Sequence, residues 1–268
     1  ERGSPMMPEL SFGQFQLVYN ALSLAIAAML GSFLFFVMAR GQLTPKYRPA
    51  MIMSSLVVAI AGYHYFRIFN SWHDAYQLSP AGTYVPTGAP FNDAYRYVDW
   101  LLTVPLLVAE LVAVLALSRD VRGSLMTRLV IAAVAMIALG YPGEIAATSD
   151  MRHMWGLLST VPFLYILYVL YGQLGKAAQK NSERTRTLLR NTQLLLLGTW
   201  GFYPIAYLMP LLGFSGASAE VGLQLGYSLA DITAKCGYGV MIYAIARSKM
   251  ESDGETVESR PEFVAVAA

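Results

Sequence analysis

The stretch RYVDWLLTVPLLVAE, residues 96–110, places an arginine, an aspartate and a glutamate in a run that is otherwise mostly leucine, valine and alanine. Asp99, Thr103 and Glu110 follow one another at intervals of four and seven residues, which is a helical spacing. In a membrane span, ionisable side chains are costly and usually functional. The stretch therefore indicates a transmembrane helix that carries a site.

The whole chain has the same apolar character. Of its 268 residues, 56% are hydrophobic and 13% are charged, whereas a soluble domain carries roughly 25% charged residues. The apolar residues form blocks that are each long enough to cross a ~30 Å hydrocarbon layer as a helix of ~20 residues. We predict an all-α membrane protein, a seven-transmembrane helix bundle that forms one domain over 1–268, with spans at 12–39, 49–72, 91–117, 125–147, 151–174, 188–213 and 219–247.

The charges between the blocks give the orientation. Lysine and arginine are concentrated between blocks one and two, three and four, and five and six, and after block seven. The alternate connections carry Asp74, Asp93, Glu144, Asp150 and Glu220. The positive-inside rule therefore predicts an extracellular or periplasmic N-terminus and a cytoplasmic C-terminus. We expect 176–190 to be a loop and the polar residues 250–268 to form a disordered cytoplasmic tail.

A second set of intramembrane charges lies in SLADITAKCGYGVMIY, residues 228–243. Lys235 is near the middle of this block, and Asp231 lies one turn earlier on the same face. A lysine at bilayer depth costs ~2.5–3.5 kcal/mol on insertion scales, so it needs a partner or a function. One interpretation is a structural ion pair with Asp231. The other is that the amine forms a Schiff base with an aldehyde, which buried lysines do readily.

The third block favours the second interpretation. At ~100° and ~1.5 Å per residue, Asp99 and Glu110 project from almost the same face, ~16 Å apart along the helix axis. Because this span runs from outside to inside, Asp99 lies in the outer half and Glu110 in the inner half, with Lys235 expected between them. This arrangement indicates a proton pathway with a switch, and a purely structural network would not require it.

These motifs resemble the microbial rhodopsins. Residues 96–110 look like their third helix, ADITAK (230–235) like their retinal-lysine helix, and WGFYP (200–204) like their retinal-pocket helix. The Asp99–Thr103–Glu110 triplet is similar to that of proteorhodopsin-type outward proton pumps. AGYHYFRIFNSW (61–72) and WGLLSTVPFLYILYVLY (155–171) are closer to the xanthorhodopsin branch, which carries a carotenoid antenna.

The resemblance implies a light-driven outward proton pump with all-trans retinal bound through a Schiff base at Lys235. Asp99 is then the main counterion and first proton acceptor, and Asp231 is the second counterion. Glu110 reprotonates the Schiff base from the inner side, and burial favours the neutral form that a donor needs. The resemblance also implies the plasma membrane of a bacterium, a homo-oligomer, and ion translocation in place of enzymatic turnover.

Three further residues lie beside this pathway. Thr103 is placed between the two carboxyl groups. His64 is interpreted as a partner of Asp99, the alternative being a histidine satisfied within the core. Arg96 is interpreted as a gate that stabilises the counterions, the alternative being an arginine that extends to the membrane interface. Glu220 and Glu144 are the candidates for proton release, and the choice between them stays open.

The resemblance also predicts the retinal pocket. Its walls are Trp100, Trp200, Tyr203 and Pro204, with Leu107, Gly140, Ser159, Thr160, Phe163 and Tyr207 at neighbouring positions. Gly156 is interpreted as an opening towards lipid through which a carotenoid ring, of a xanthophyll for example, approaches the retinal. The alternative for Gly156 is ordinary small-residue helix packing. His73 and His153 are expected on the solvated surface.

Other functions are less consistent with these residues. A retinal-based light sensor that signals through a partner protein could share Asp99 and Lys235, but the carboxyl group of Glu110 favours pumping. A chloride pump is expected to have a neutral residue at Asp99, and sodium pumps carry a different triplet. A receptor or solute carrier without retinal is a further alternative. The net charge of +2 does not suggest a nucleic-acid partner, and we predict no metal site.

Overall fold

The computed structural model describes residues 7–92, 94–146 and 148–257. Asp93 and residues 258–268 of the predicted tail lie outside this part of the chain. The helices are α1 (Phe12–Ala39), α2 (Arg48–Ala75), α3 (Tyr95–Leu115), α4 (Arg119–Glu144), α5 (Ser149–Lys180), α6 (Glu183–Trp200), α7 (Phe202–Leu208), α8 (Ala217–Asp231) and α9 (Tyr238–Ser252). Short 3₁₀ turns occupy Arg40–Gln42 and Met209–Leu212.

These helices form the predicted seven-helix bundle. Within the described residues, six segments are long and apolar enough to cross a membrane, and the last of them runs from Ala217 to Ser252 through α8 and α9. The remaining span consists of α6 and α7 together. The chain is therefore a multi-pass membrane protein, and consecutive spans run in opposite directions.

The sixth span is interrupted where it approaches the centre of the bundle. α6 ends at Trp200 and α7 begins at Phe202. Pro204 has no backbone N–H, so it cannot donate to the carbonyl of Trp200 four residues earlier, and this kinks a helix. Gly201 accommodates the kink, since a Cβ atom there would lie 2.7 Å from the carbonyl oxygen of Leu197.

The seventh span changes its winding at Lys235. Residues Ile232–Gly237 form a π-helical segment that joins α8 to α9. Such segments are rare and often occur at functional sites. Here the wider turn sets the direction of the lysine side chain relative to Asp231.

A small antiparallel sheet covers the end of the bundle that is predicted to lie outside. It consists of β1 (Leu10–Ser11), β2 (Tyr76–Leu78) and β3 (Thr83–Pro86) in the order β1-β3-β2, with Tyr76 opposite Pro86 and Leu10 opposite Tyr84. The ring of Phe15 stacks on Tyr84 with 3.8 Å between centroids. The sheet was not predicted from the sequence, and it folds the long connection between α2 and α3 back onto the bundle.

One prediction about the opposite end was wrong, and another is contradicted only where the predicted tail begins. The segment 176–190 is not a loop, because α5 continues to Lys180 and α6 begins at Glu183, with Ser182 as its N-cap. The tail is ordered where it begins, since α9 continues to Ser252. Beyond it, Asp253 pairs with Lys46 at 3.3 Å, and Glu255 accepts a hydrogen bond from the Thr44 hydroxyl at 2.8 Å. These contacts attach the start of the tail to the connection between α1 and α2.

Candidate functional site

A cavity of ≈ 310 Å³ lies between the third to seventh spans. This volume is at the lower end of the range for small-molecule sites. Every residue predicted for the retinal pocket lines it: Trp100, Leu107, Gly140, Gly156, Ser159, Thr160, Phe163, Trp200, Tyr203, Pro204, Tyr207 and Lys235. The remaining lining residues were not predicted from the sequence. They are Tyr97, Val104, Met136, Ile137, His153, Leu157, Leu208, Tyr227 and Ala234.

Lys235 brings its amine into this cavity while remaining 3% exposed. Its Nζ lies 2.7 Å from Oδ1 of Asp231 and 3.5 Å from Oδ2 of Asp99. The π-helical segment and α3 therefore bring together the lysine and both carboxylates that were predicted as its partners. The ion pair with Asp231 is present, and the amine also faces a space that could hold a ligand.

Asp231 is held by several donors. Tyr203 donates to its Oδ1 at 2.5 Å, and the hydroxyl of Tyr65 donates to its Oδ2. Nη1 of Arg96 lies 3.5 Å from Oδ2. A carboxylate with this many donors is stabilised as the anion. Tyr65 was missed at the sequence level because its partner lies on another helix.

Asp99 has a different environment. The hydroxyl of Thr103 lies 3.3 Å from its Oδ2 and 2.9 Å from its backbone carbonyl. Nδ1 of His64 lies 3.4 Å from Oδ1 of Asp99 and 3.0 Å from the carbonyl of Ile60. Because a carbonyl can only accept, Nδ1 carries the proton and donates it to the carbonyl of Ile60. Oδ1 of Asp99 has no hydrogen-bond partner of good geometry in the described part of the chain. The carboxylate of Asp99 therefore accepts fewer hydrogen bonds than that of Asp231.

The four charged groups of this cluster balance one another. Lys235 and Arg96 supply two positive charges, Asp99 and Asp231 supply two negative charges, and each residue is at most 3% exposed. Ions buried in this way are tolerated when they are paired and hydrogen-bonded. Asp99 is the carboxylate of this cluster that lies beside the amine without being its nearest partner, with 3.5 Å between Oδ2 and Nζ.

Arg96 continues the cluster towards the end of the bundle that is predicted to lie outside. Its Nη2 donates to Oε1 of Gln224 at 2.7 Å, and Nε2 of Gln224 donates to Oε1 of Glu220 at 3.0 Å. Its guanidinium also lies over the ring of Tyr227, 4.6 Å from the centroid. Arg96 is buried, which is inconsistent with the alternative that it extends to the membrane interface. Gln224, which the sequence argument missed, connects it to one of the two release candidates.

The second release candidate has a different partner. Oε2 of Glu144 lies 3.1 Å from Nη2 of Arg152, and the hydroxyl of Tyr97 lies 3.4 Å from the same oxygen. Tyr97 also lines the cavity. Glu144 is therefore close to the cavity mouth, while Glu220 is connected to the charged cluster.

Glu110 is fully buried on the opposite side of Lys235, about 16 Å from Asp99 along α3. Its Oε2 lies 2.6 Å from the hydroxyl of Ser54, which also lies 3.2 Å from the carbonyl of Ala50. Ser54 has one proton, and the carbonyl can only accept. If Ser54 donates to Ala50, the proton between Ser54 and Glu110 must come from Glu110. This geometry suits a protonated carboxyl group.

Gly156 lies where the cavity meets the bundle surface. A Cβ atom at this position would lie 2.7 Å from Cε1 of Tyr207, so the tyrosine ring packs directly on the glycine. Leu157 lines the cavity and is 72% exposed, which shows that the cavity extends to the lipid-facing side of α5. Both interpretations of Gly156, an opening towards lipid and small-residue helix packing, therefore have a basis in the geometry.

His153 is exposed, as is His73, but His153 also lines the cavity.

The residues fit retinal and give no sign of a metal centre. A buried amine, two adjacent carboxylates and the rings of Trp100, Trp200 and Tyr203 provide the attachment point, the counter-charges and a flat apolar lining. Groups of three or more metal-ligating side chains are absent from residues 7–92, 94–146 and 148–257. The site is therefore suited to a covalently held apolar aldehyde.

Comparisons with known proteins agree with this geometry. Residues 17–249 match the family model described as bacteriorhodopsin-like protein. The chain is 31% identical to the green-light absorbing proteorhodopsin of a gamma-proteobacterium, over 83% of this chain and 84% of that protein. It is 33% identical to the bacteriorhodopsin of Halobacterium salinarum, over 86% of this chain and 83% of that protein.

Two solved structures are more than half identical to this chain. The crystallographic structure of xanthorhodopsin, described as a light-driven ion pump with dual chromophore, is 54% identical with a TM-score of 0.89, over 93% of this chain and 100% of that one. The structure of thermophilic rhodopsin is 53% identical with the same TM-score and the same coverage.

Proposed function

This chain belongs to the bacteriorhodopsin-like protein family, and we propose that it is a light-driven pump that moves protons outward across the plasma membrane of a bacterium. The observation that carries the proposal is the pair of separate buried carboxyl groups on α3. Asp99 lies beside the amine of Lys235, and Glu110 lies about 16 Å further along the helix. A light sensor needs only the carboxyl group beside Lys235, whereas a proton pump needs the carboxyl groups of both Asp99 and Glu110.

Lys235 would hold retinal, with the cavity around the side chains of Trp100, Trp200 and Tyr203 enclosing it. When bound, retinal supplies visible absorption and a light-driven change of shape that alters the proton affinity at Nζ. The cavity excludes bulk water from Nζ, because most of its lining is aromatic or aliphatic. A proton on Nζ is then shared only with groups that the protein provides.

Asp99 is the proposed acceptor of that proton. Its Oδ2 lies 3.5 Å from Nζ, close enough for transfer after a small movement. Asp231 is nearer, but the hydroxyls of Tyr65 and Tyr203 and the guanidinium of Arg96 stabilise it as an anion. Asp99 has fewer donors, so the added proton is better accommodated there. Its hydrogen bond from Thr103 keeps Oδ2 in place.

Glu110 is the proposed donor from the inner side. Its burial favours a neutral carboxyl group in the dark, and the hydrogen bond with Ser54 holds its Oε2 in place. Return of a proton to Nζ from this side, after loss of the first proton to Asp99, gives the cycle its direction. His64 would influence how long Asp99 holds the proton, because its Nδ1 faces Oδ1.

The proposed exit leads from the charged cluster to Glu220. Arg96 and Gln224 form a hydrogen-bonded connection between Asp231 and Glu220. A change in the charge of Asp99 would alter the position of the Arg96 guanidinium and hence its hold on Gln224. This connection makes Glu220 the favoured release group over Glu144.

A carotenoid antenna is a separate part of the proposal. The similarity to xanthorhodopsin and the surface access beside Gly156 support it. If purified pigment is mixed with a xanthophyll, the excitation spectrum of retinal-dependent fluorescence should gain carotenoid bands. Gly156→Trp should remove those bands, and the remaining retinal band is the check that the variant still binds retinal. Spectra without any carotenoid contribution in the unmodified protein would refute the antenna.

Pumping is tested with a pH electrode in unbuffered suspensions of cells that express the protein with retinal. Illumination should acidify the medium, and a protonophore should abolish the signal. Asp99→Asn should retain a pigment without acidification. Alkalinisation would contradict the direction, and a coloured protein that produces no pH change would favour a light sensor.

A further inference from the structure

A second cavity, remote from the retinal site, lies between α5 and α6 near their connection. Its volume is ≈ 390 Å³, and it is lined by Gly175, Ala178, Gln179, Arg186, Arg190 and Gln193. All of its titratable lining residues are arginines, and the positive-inside rule assigns this end of the bundle to the cytoplasm. We call this cavity the α5–α6 crevice.

Helical spacing directs the polar side chains into the crevice. Arg186, Arg190 and Gln193 follow at intervals of four and three residues and share one face of α6. On the facing side of α5, Gly175 and Ala178 are small. A Cβ atom at Gly175 would lie 3.6 Å from Nε2 of Gln193, so the missing side chain leaves space between the helices.

The two arginines have unused hydrogen-bonding capacity. Nε of Arg186 donates to the carbonyl of Ala178 at 3.2 Å, which holds the guanidinium at the crevice. Gln193 is fixed in the same way, because its Nε2 donates to the carbonyl of Tyr171 at 2.9 Å. In the part of the chain that the structure describes, no carboxylate lies within ion-pair distance of Arg186 or Arg190. Two adjacent guanidinium groups without an anion are suited to a phosphate.

The surface next to the crevice is apolar and faces lipid. On α6, Leu194 and Leu197 lie one turn beyond Arg190 and Gln193 and are 64% and 53% exposed. On α5, Tyr168 lies two turns and Tyr171 one turn before Gly175, and both are exposed. A ligand with an anionic head in the crevice would therefore place its apolar part along these side chains.

We propose that the α5–α6 crevice binds the phosphate of an anionic glycerophospholipid, with Arg186 and Arg190 as the phosphate ligands and the acyl chains against Leu194 and Leu197. Basic pockets between membrane helices on the cytoplasmic side are a recurrent form of lipid recognition. Soluble phosphate shares the head-group chemistry but would gain nothing from the apolar surface. The site is independent of proton pumping.

The test measures lipid binding to retinal-loaded protein by native mass spectrometry with added phosphatidylglycerol. Arg186→Gln combined with Arg190→Gln should weaken binding about 100-fold, since a direct hydrogen bond to a charged group contributes about 10-fold or more. Arg190→Gln alone, at an exposed side chain, should weaken it about 10-fold without any effect on folding. An unchanged visible band confirms that each variant is folded.

The matched control is Arg119→Gln combined with Arg122→Gln, which removes two exposed cations from the same end of the bundle but outside the crevice. Its affinity for phosphatidylglycerol should change less than about 2-fold. Equal losses in the control and the crevice variants would overturn the proposal in favour of diffuse surface charge. Complete displacement of the lipid by millimolar sodium phosphate would identify a soluble-anion site and also overturn it.

Discussion

Replacing Gly156 by alanine tests the packing at the mouth of the retinal cavity. The added Cβ would lie 2.7 Å from Cε1 and 3.3 Å from Cζ of Tyr207. The tyrosine ring has little room to retreat. Its hydroxyl donates to the carbonyl of Arg152 at 2.8 Å, and the Arg152 guanidinium lies over the ring, 4.4 Å from the centroid. On α4, a Cβ atom on Gly143 would lie 2.2 Å from the hydroxyl, so that side is also closed.

The expected magnitude follows from two opposing effects. Overpacking of this kind costs about 1–3 kcal/mol, whereas glycine to alanine inside a helix gains up to about 1 kcal/mol. Gly172→Ala on the same helix is the matched control, because no atom lies within 4 Å of a Cβ atom at Gly172. Gly156→Ala should therefore be less stable than Gly172→Ala by about 1–3 kcal/mol.

Thermal bleaching of the visible band in detergent measures this difference. At about 2–4 °C per kcal/mol for a chain of this size, the midpoint of Gly156→Ala should be about 2–12 °C below that of Gly172→Ala. Equal midpoints would refute the reasoning, because they would mean that Tyr207 moves freely and that Gly156 borders open space.

Three further substitutions probe the proton pathway. Glu110→Gln should slow recovery of the dark state after a flash by about 10²–10⁴-fold, the usual contribution of a general acid, and an unchanged recovery rate would contradict its role as donor. Ser54→Ala leaves Oε2 of Glu110 without its partner, which costs about 1–3 kcal/mol, so flash photolysis should find the recovery rate changed by about 5-fold or more. Gln224→Leu removes the acceptor from Nη2 of Arg96 and should destabilise the pigment by about 1.5–3 kcal/mol. It should also delay the appearance of protons outside, as recorded with a pH-sensitive dye, and a wild-type delay would exclude Gln224 from the exit.

The positions along a single helix could be predicted from the sequence. The helical period fixes the common face of Asp99 and Glu110, and the spacing of four residues brings Lys235 next to Asp231. The retinal-pocket residues could also be named, because they occur in motifs that resemble a known family. These are local features, and the structure brings them to one cavity.

Contacts between helices could not be predicted. Tyr65 reaches Asp231, and Gln224 joins Arg96 to Glu220, only because α2, α3 and α8 have particular rotations about their axes. An apolar pattern limits such a rotation to the buried side of a helix but does not give the partner of a single side chain. Hydrogen bonds between spans therefore require the structure.

The ends of the helices were also beyond the sequence argument. The hydropathy pattern indicates where the hydrocarbon layer ends. The helices α5 and α6 continue past that point. Lysine, arginine and glutamine, which are frequent there, favour helices in water. The outer sheet escaped prediction because its strands are two to four residues long, too short for an alternating pattern. The π-helical turn at Lys235 has no sequence signal that we could identify.

The central claim is that Lys235 carries the chromophore between an exit acid and an entry acid. Reduction of the pigment with borohydride, followed by protease digestion and mass spectrometry, tests this directly. The mass of one retinyl group should be added to the peptide that contains Lys235 and to no other lysine-containing peptide. An unmodified Lys235 in protein that retains its colour would contradict it.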